Sequence, residues 1–151
     1  MNRGGTLVVQ YQTSQDLVTS ELGPYPFQIS RRRVSVENGP VNITNAEHRL
    51  MTFPNRITQA DFDGWVQERG LYFPDQWAPQ YETVFASADP NEPPLPGGIL
   101  FTRYGKGAYV FTSYSWFRQL PAGVPGAYRI FVNLISAGFN PAGALSTNED
   151  R

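Results

Sequence analysis

The sequence predicts one domain of the α/β class, which becomes α+β if the chain is judged alone, with a mixed β-sheet, a glycine-tipped β-hairpin and a C-terminal helix. Three observations lead to this prediction. Residues 6–11 form a run of β-branched and apolar side chains directly after a pair of glycines. Two further apolar runs, residues 99–104 and 108–114, flank a glycine-rich tripeptide, and residues 127–135 carry apolar side chains at helical spacing.

Length and composition limit the domain organisation and the partners. The chain has 151 residues, of which 40% are hydrophobic and 14% aromatic, and its formal net charge is -1. We expect one domain over residues 1–139 and a polar C-terminal tail over residues 140–151. Nucleic acids and anionic membrane surfaces attract proteins with a surplus of Lys and Arg, so neither is an expected partner. No stretch approaches the roughly 20 apolar residues of a membrane span.

The first third of the chain contains three predicted strands. The apolar run Leu7-Val8-Val9 is typical of a strand in the interior of a parallel sheet, covered on both faces. Alternating apolar residues from Phe27 to Val36 predict a half-buried strand, interrupted by three adjacent arginines at residues 31–33. The turn dipeptide Asn38-Gly39 then predicts a hairpin in which residues 41–43 return along this strand.

A short helical turn and two short strands are predicted in the middle of the chain. Thr58 precedes Asp61 by three residues, and this spacing lets the hydroxyl and the carboxylate satisfy free amides at a helix start. Residues 71–73 and 84–85 are predicted as strands separated by prolines. The proline-rich segment 89–98 is predicted as a loop.

The hairpin and the C-terminal helix are the most regular predicted elements. Gly105 and Gly107 are expected to supply the positive backbone angles of the tight connection. The Gly-Lys-Gly tip lacks the Gly-x-x-x-x-Gly-Lys-Ser/Thr spacing of a phosphate loop, and a strand follows it where such a loop needs a helix. Gly138 is expected to stop the helix, whose predicted inward face consists of Ala127, Ile130, Phe131, Leu134 and Ile135.

The residue content excludes several kinds of chemistry. The chain has no cysteine, so disulfides, thiolate nucleophiles and cysteine-ligated zinc are excluded. Its single histidine, His48, argues against a self-contained zinc site, because such sites usually take several His or Cys ligands. No Gly-x-Ser-x-Gly motif accompanies His48, which is expected to lie on the surface or to stabilise a turn. No metal, cofactor or catalytic residue is predicted.

Three polar features have both a structural and a functional interpretation. Asp61 and Glu68 could flank a scissile glycosidic bond, but helix capping explains Asp61 and solvation explains Glu68. The arginines at residues 31–33 could bind phosphate or a carboxylate, although a solvated loop is the favoured interpretation. Arg118 could orient a carboxylate through its planar guanidinium or tie a loop to backbone carbonyls.

Aromatic side chains are abundant, and exposed aromatic faces commonly bind sugars or protein partners. Core packing is the competing explanation, and it is favoured for Trp65 and Tyr72. Trp77 and Trp116 lie beside loop residues, so both explanations stay open for them. The candidate binding residues are Trp77, Trp116, Tyr114 and Arg118.

Two long segments resemble a known family. The segments are ITQADFDGWVQERGLYF at residues 57–73 and GGILFTRYGKGAYVFTSYSWFRQLPAGVPGAYR at residues 97–129. Both are similar to the C-terminal region of bacterial PIG-L (LmbE-like) deacetylase fusion proteins. Residues 4–11 and 21–26 fit the same region, so the resemblance extends from Gly4 to about Ala137. It implies the second half of a domain similar to class I glutamine amidotransferases and to ThuA-like proteins.

The resemblance implies little catalytic chemistry for this chain. The deacetylase module of such proteins binds zinc through an Ala-His-Pro-Asp-Asp motif, which this sequence lacks. A ThuA-like protein shows Leu-Gly-His where this chain has Tyr114-Ser115-Trp116. The implied function is therefore a non-catalytic accessory module of a PIG-L-type N-acetylglucosaminyl deacetylase, with a packing or substrate-side binding role. The alternative is a carbohydrate-binding module that uses exposed aromatic residues.

The resemblance also implies partners. In that family the Gly-Gly-Thr strand lies well inside the domain. We therefore expect residues 7–11 to be covered by a partner or another copy, or to remain a weakly protected edge. The expected partners are the missing N-terminal half of the domain or a deacetylase domain, a second copy, and a carbohydrate. Relatives that carry export signals imply an extracytoplasmic setting.

Overall fold

A computed structural model describes residues 1–13, 15 and 17–139, so the predicted tail lies outside the described residues. The described part is a mixed α and β fold of small sheets with a C-terminal helix, as the sequence predicts. None of its helices has the length and hydropathy needed to cross a membrane. The strands are β1 (Thr6–Gln10), β2 (Phe27–Ile29), β3 (Arg33–Val34), β4 (Val41–Ile43), β5 (Gly70–Leu71), β6 (Pro74–Trp77), β7 (Phe85–Ser87), β8 (Ile99–Tyr104) and β9 (Gly107–Thr112). The helices are α1 (Arg49–Thr52), α2 (Trp116–Gln119) and α3 (Pro125–Ile135), with 3-10 helices at Gln59–Phe62 and Pro96–Gly98.

The central sheet has three strands in the order β1-β9-β8. β9 lies in the middle, pairs parallel with β1 and antiparallel with β8, and is buried along its whole length. The predicted glycine-tipped hairpin is thus confirmed, with Gly105 at φ 58. Gly107 was expected to have a positive φ as well, but it belongs to β9 and has none. Glycine is needed there for close approach, because a Cβ would collide with the carbonyl oxygens of Met1 and Gly5.

Two hydrophobic clusters cover the two faces of this sheet. Successive residues of β9 point to opposite faces, so Val110 belongs to the larger cluster and Tyr109 to the smaller one. The larger cluster also contains the inner face of α3 together with Trp65 and Trp116. Burial of such side chains stabilises the fold by about 25 cal/mol per Å² of apolar surface removed from water.

The remaining strands form three antiparallel two-stranded ladders around the sheet. β2 pairs with β6, β3 with β5, and β4 with β7. The hairpin predicted around Asn38-Gly39 is therefore wrong. The chain does turn there, with the Gly39 N–H donating to Val36 O at 3.0 Å, but the flanking strands β3 and β4 belong to different ladders. Pro74, predicted to separate strands, is the first residue of β6, a position at which a strand tolerates proline.

β1 occupies an edge of the sheet rather than its interior. Its parallel neighbour β9 is the partner that the apolar run predicts, but its residues are half-buried or exposed, and Leu7 is 45% exposed. In β1, the backbone N–H and C=O groups of the odd-numbered residues bond to β9. Because these groups alternate in direction along a strand, those of residues 6, 8 and 10 point away from β9. The interior position is therefore wrong for the described part of the chain, although Val8 and Val9 pack against the clusters on the two faces of the sheet. Whether a partner covers this edge or it stays weakly protected remains a prediction.

The helix α3 packs one face on the core and exposes the other. Pro125 occupies its first turn, where a missing N–H costs nothing. Ala127, Ile130 and Leu134 are buried as predicted. Ile135, predicted to face inward, is 51% exposed, so the buried face is narrower than its apolar spacing indicates.

Gly138 ties the segment after α3 to β1. It has no positive φ, so it does not stop the helix in the predicted way. A Cβ at Gly138 would collide with Gly5 O, and the Gly138 N–H donates to Thr6 Oγ1 at 2.7 Å. The glycine is thus required by close packing between the end of the helical segment and the start of the strand.

Candidate functional site

Trp116 and Tyr114, two of the predicted binding residues, are buried in the larger cluster. Trp116 has no exposed surface, and Tyr114 is 1% exposed. The Trp116 indole N–H donates to Thr112 Oγ1 at 2.9 Å, and the Tyr114 hydroxyl pairs with Ser87 Oγ at 2.8 Å. Burial raises the pKa of Tyr114, so its hydroxyl stays protonated. Neither ring can present a face to a ligand, so their assignment as binding residues is wrong.

Trp77 lies at the end of β6 and keeps part of its surface accessible. It stands opposite Phe27 in the β2–β6 ladder, so both rings share the face that packs against the smaller cluster. A Cβ added to Gly97 would approach the Trp77 ring at 2.9 Å, which shows how closely the indole is packed. A shallow groove of about 330 Å³ beside Trp77 is lined by Pro26, Phe27, Gln28, Gln76 and Ala78.

Arg118, the fourth predicted binding residue, lies at the surface. Its Nε donates to Glu68 Oε1, and its guanidinium carbon lies 5.2 Å from the centroid of the Phe117 ring. The Arg118 side chain is 36% exposed and the Glu68 side chain 13%. Arg118 therefore orients a carboxylate, as its planar donor group suggests, but the carboxylate belongs to this chain.

Three rings lie beside this ion pair, and we name Tyr11, Tyr72, Phe117, Glu68 and Arg118 together the aromatic patch. The Tyr11 ring makes edge-on contacts with Tyr72, at 5.8 Å between centroids, and with Phe117, at 5.2 Å. Phe117 is 47% exposed. Burial, reinforced by Tyr72 and Glu68, raises the pKa of Tyr11, so its hydroxyl is a neutral donor at pH 7. The patch thus combines apolar ring surface with a hydroxyl, a carboxylate and a guanidinium.

The aromatic patch lies just beyond the carboxyl ends of the two parallel strands. β1 ends at Gln10 and β9 at Thr112, and the Tyr11 N–H donates to Thr112 O at 2.9 Å. Phe117 and Arg118 belong to α2, the first helix after β9. In open sheets with parallel strands, ligands bind in the crevice outside the carboxyl ends of those strands.

The segment 66–72, which carries Glu68 and Tyr72, contains two strained backbone positions. Gln67 has φ 66 and Tyr72 has φ 61, both in the left-handed region that residues with a Cβ seldom adopt. Each such position costs about 1–3 kcal/mol and persists only where the surrounding structure determines it. The strained backbone coincides with the aromatic patch, since Gln67 precedes Glu68 and Tyr72 is a patch residue.

Gln119 holds the first part of this segment. Its side chain is fully buried, and its Oε1 accepts from the Val66 N–H at 2.8 Å. Its Nε2 donates to Val66 O at 2.9 Å and to Glu68 O at 3.1 Å. One side chain thus fixes the backbone on both sides of Gln67.

Two buried serines hold the rest of the segment. Ser115 Oγ lies 2.9 Å from Glu68 O and 3.0 Å from Arg69 O, within donating distance of both. Ser113 Oγ donates to Tyr72 O at 3.1 Å. Neither serine is solvent-exposed, so neither hydroxyl is free for other chemistry.

His48 stabilises the start of α1, one of its two expected roles. Its Nδ1 accepts from the Leu50 N–H at 3.1 Å, and its Nε2 lies 3.4 Å from Glu82 Oε2. Burial lowers the pKa of His48, while Glu82 acts in the opposite direction. An Nδ1 that accepts a backbone hydrogen bond requires the imidazole to be unprotonated at that nitrogen.

Asp61 and Glu68, considered as a catalytic pair, are engaged by different arginines. Asp61 accepts from the Thr58 N–H at 2.8 Å and from Arg129 Nε at 2.8 Å, which confirms the predicted helix cap. Glu68 is bound to Arg118 instead. Within the described ranges, no group of three or more His, Asp or Glu side chains is placed to hold a metal ion.

The three arginines at residues 31–33 line a surface cleft of about 440 Å³ that also contains Asp89 and Glu92. All three arginines are exposed, as a solvated loop requires. The Asp89 carboxylate accepts from the backbone N–H groups of Ser35 and Val36, at 3.1 and 2.8 Å. Asp89, one of the two acidic residues of this cleft, therefore binds the backbone after β3.

Comparison with known protein families, curated proteins and solved structures finds no match to this chain. The likeness to half of an amidotransferase-like domain therefore stays a prediction, and the candidate site depends on geometry. Sequence reasoning missed Tyr11 and Phe117, which the fold brings together from positions far apart in the chain. The one usable signal was Arg118 beside an aromatic residue shortly after a predicted strand.

Proposed function

We propose that this chain is a non-catalytic accessory module of a PIG-L-type N-acetylglucosaminyl deacetylase, with a packing or substrate-side binding role. The observation that carries the proposal is an exposed docking surface. We name it the β1–α3 face, and it consists of the outer edge of β1 and the outer side of the helical segment, with Tyr128, Val132, Ile135 and Phe139 exposed.

The strand part of this face is a sheet edge that no further strand of the described residues covers. On the other edge of the sheet, Glu82 closes β8 through two bonds with Phe101, at 2.7 and 2.9 Å. On the β1 edge, the outward groups of residues 6, 8 and 10 have no neighbouring strand among the described residues. Such an edge is a template for a further strand, so an extended segment of the deacetylase is the fitting occupant.

The helical part of the face offers apolar surface. Tyr128, Val132, Ile135 and Phe139 recur at helical spacing and are between 38% and 51% exposed. The buried Gly138, just after α3, donates to Thr6 Oγ1, so the exposed side of the helix ends close to the β1 edge. Exposed apolar surface of this kind marks protein interaction sites in soluble proteins.

The use of the polar side chains supports a non-catalytic role. His48 caps a helix, Asp61 binds Arg129, and Ser113 and Ser115 donate to backbone carbonyls. A nucleophile or general base must be free to reach a substrate, and each of these groups is held by a structural bond.

Binding to a PIG-L-type deacetylase domain that lacks this region tests the proposal. We expect calorimetric titration with this chain to show a one-to-one complex. The double substitution Val132→Lys and Ile135→Lys should weaken it at least about tenfold by placing charge in an apolar interface. Phe117→Ala is the matched control, because Phe117 is exposed to a similar degree outside the β1–α3 face.

Two results would overturn the proposal. One is robust deacetylation of N-acetylglucosamine derivatives by this chain alone with added zinc. The other is the absence of a complex, or self-association in sedimentation experiments that the double substitution abolishes. Self-association would assign the β1–α3 face to a second copy of the chain.

A further inference from the structure

We infer that the aromatic patch is a binding site for a neutral oligosaccharide. The inference is independent of the accessory-module proposal, because it needs only residues of this chain and a soluble ligand. It also changes the location of the carbohydrate-binding alternative, which the sequence places on Trp77 and Trp116. Trp116 is fully buried and Trp77 is packed against the smaller cluster.

The rings of the patch offer the apolar part of such a site. Phe117 is nearly half exposed, and Tyr11 stands edge-on between Phe117 and Tyr72. The three rings therefore form a row of aromatic surface. A sugar ring has a C–H face that packs on aromatic rings and an edge of hydroxyls that does not, so it needs apolar and polar groups side by side.

The ion pair supplies the polar part. Glu68 binds one nitrogen of Arg118 through Oε1. The carboxylate keeps acceptor capacity, and a guanidinium has five N–H donors, so both groups retain sites for sugar hydroxyls. Because the two charges compensate each other, the ion pair itself selects no net charge and suits a neutral polyol. Arg33 is a further charge that acts on Tyr11, so an anionic sugar is the competing ligand in the test.

The backbone under the patch is preorganised. Gln119, Ser113 and Ser115 fix segment 66–72 with buried hydrogen bonds, including both strained positions. A site held in this way loses little conformational entropy when a ligand binds. Strain that the surrounding structure maintains at a surface is typical of functional sites and gives a reason for Gln67 and Tyr72 to keep a positive φ.

Two of the surface clefts lack this combination. The groove beside Trp77 is lined by two glutamines and apolar residues and contains no charged group. The cleft at residues 31–33 is lined by exposed arginines and contains no aromatic ring. Two further clefts, one with Tyr104, Tyr109 and Glu21 and one with Phe62, Asp63 and Arg69, have both kinds of group. Neither is lined by a residue with positive φ, so of these sites the aromatic patch alone combines both kinds of group with the strained backbone.

Titration of isotope-labelled chain with cellotetraose, chitotetraose and maltotetraose, followed by amide NMR, tests the inference. We expect at least one of them to bind in the millimolar range or tighter, with shifts confined to residues 11, 67–72 and 115–118. Phe117→Ala should weaken that binding about tenfold, because it removes the exposed ring. Glu68→Gln, which keeps the shape but alters the ion pair, should weaken it by a smaller factor.

Phe139→Ala is the matched control, since Phe139 is an exposed phenylalanine of the β1–α3 face. It should leave sugar binding unchanged, just as Phe117→Ala should leave deacetylase binding unchanged, so the two proposals fail separately. The inference is overturned if none of the three oligosaccharides shifts the patch resonances at about 10 mM. Equal binding of tetragalacturonate, or equal loss with Phe139→Ala, would also contradict it.

Discussion

The strained segment 66–72 and the β1–α3 face both lower the stability of the fold, but only the segment is stabilised by other residues of the chain. In the segment, buried side chains of Gln119, Ser113 and Ser115 bond to the backbone on both sides of the strain. On the face, apolar side chains stay about half exposed, and β1 has no further neighbouring strand among the described residues. The first cost is offset inside the chain, which suits a preformed ligand site. The second can be offset only from outside, which suits a docking surface.

The largest expected effect is a loss of stability when the buried hydrogen bonds of segment 66–72 are removed. Gln119→Leu keeps the volume but removes three buried hydrogen bonds and leaves the Val66 N–H without a partner, while Val66 O and Glu68 O keep one bond each. We expect it to lower the free energy of unfolding by about 3 kcal/mol or more, because buried unpaired polar groups lose their solvation without compensation. Urea denaturation measures this loss. Gln76→Leu, at an exposed position of β6, is the control and should change stability by less than about 0.5 kcal/mol.

A smaller effect tests whether the segment is strained. Gln67→Gly removes the left-handed penalty of about 1–2 kcal/mol but adds entropy to the unfolded chain, so a net gain near 0.5 kcal/mol is expected. Gln67→Val should instead destabilise by about 1 kcal/mol or more, because a β-branched side chain tolerates positive φ poorly. The Gln67 side chain is exposed, so differences in side-chain packing contribute little to the difference in stability between the two variants. If the Gln67→Gly variant is less stable than the Gln67→Val variant in thermal melts, the strain is absent.

The smallest effect is expected on the β1–α3 face. Ile135→Lys should change the free energy of unfolding by less than about 0.5 kcal/mol, because Ile135 is half exposed and a cation suits a helix C-terminus. The neighbouring substitution Leu134→Ala should cost about 2–5 kcal/mol, because Leu134 is fully buried. Similar losses for the two variants in urea denaturation would mean that the chain itself covers the face.

Elements defined by local pattern were predictable from the sequence. The β8–β9 hairpin, the cap formed by Asp61 and the helix α3 follow from glycine placement, capping spacing and apolar period. The strand partners were not predictable, because the pairing of β3 with β5 and of β4 with β7 depends on contacts between residues distant in sequence. The position of β1 at an edge was likewise decided by which strands the rest of the chain could supply.

The candidate site was predictable in one residue. Arg118 was identified, but Trp116, left open between core and binding site, and Tyr114, a candidate binding residue, both lie in the core. The sequence contains no signal that Phe117 points outward while the preceding Trp116 is buried. The positive φ of Gln67 and Tyr72 is also invisible to composition, since tertiary bonds from Gln119 and Ser113 impose it.

The pairing of β1 with β9 sets the order in which the chain can fold. Thr6 pairs with Ala108, so β1 is synthesised about a hundred residues before its partner. At typical rates of translation, Leu7 to Val9 wait roughly 5–20 s for β9 to emerge. The hairpin of β8 and β9 can form within microseconds of its own completion. The pairing of β1 with β9 therefore forms late, because it closes a long loop of the chain. Until then, β1 stays accessible to chaperones.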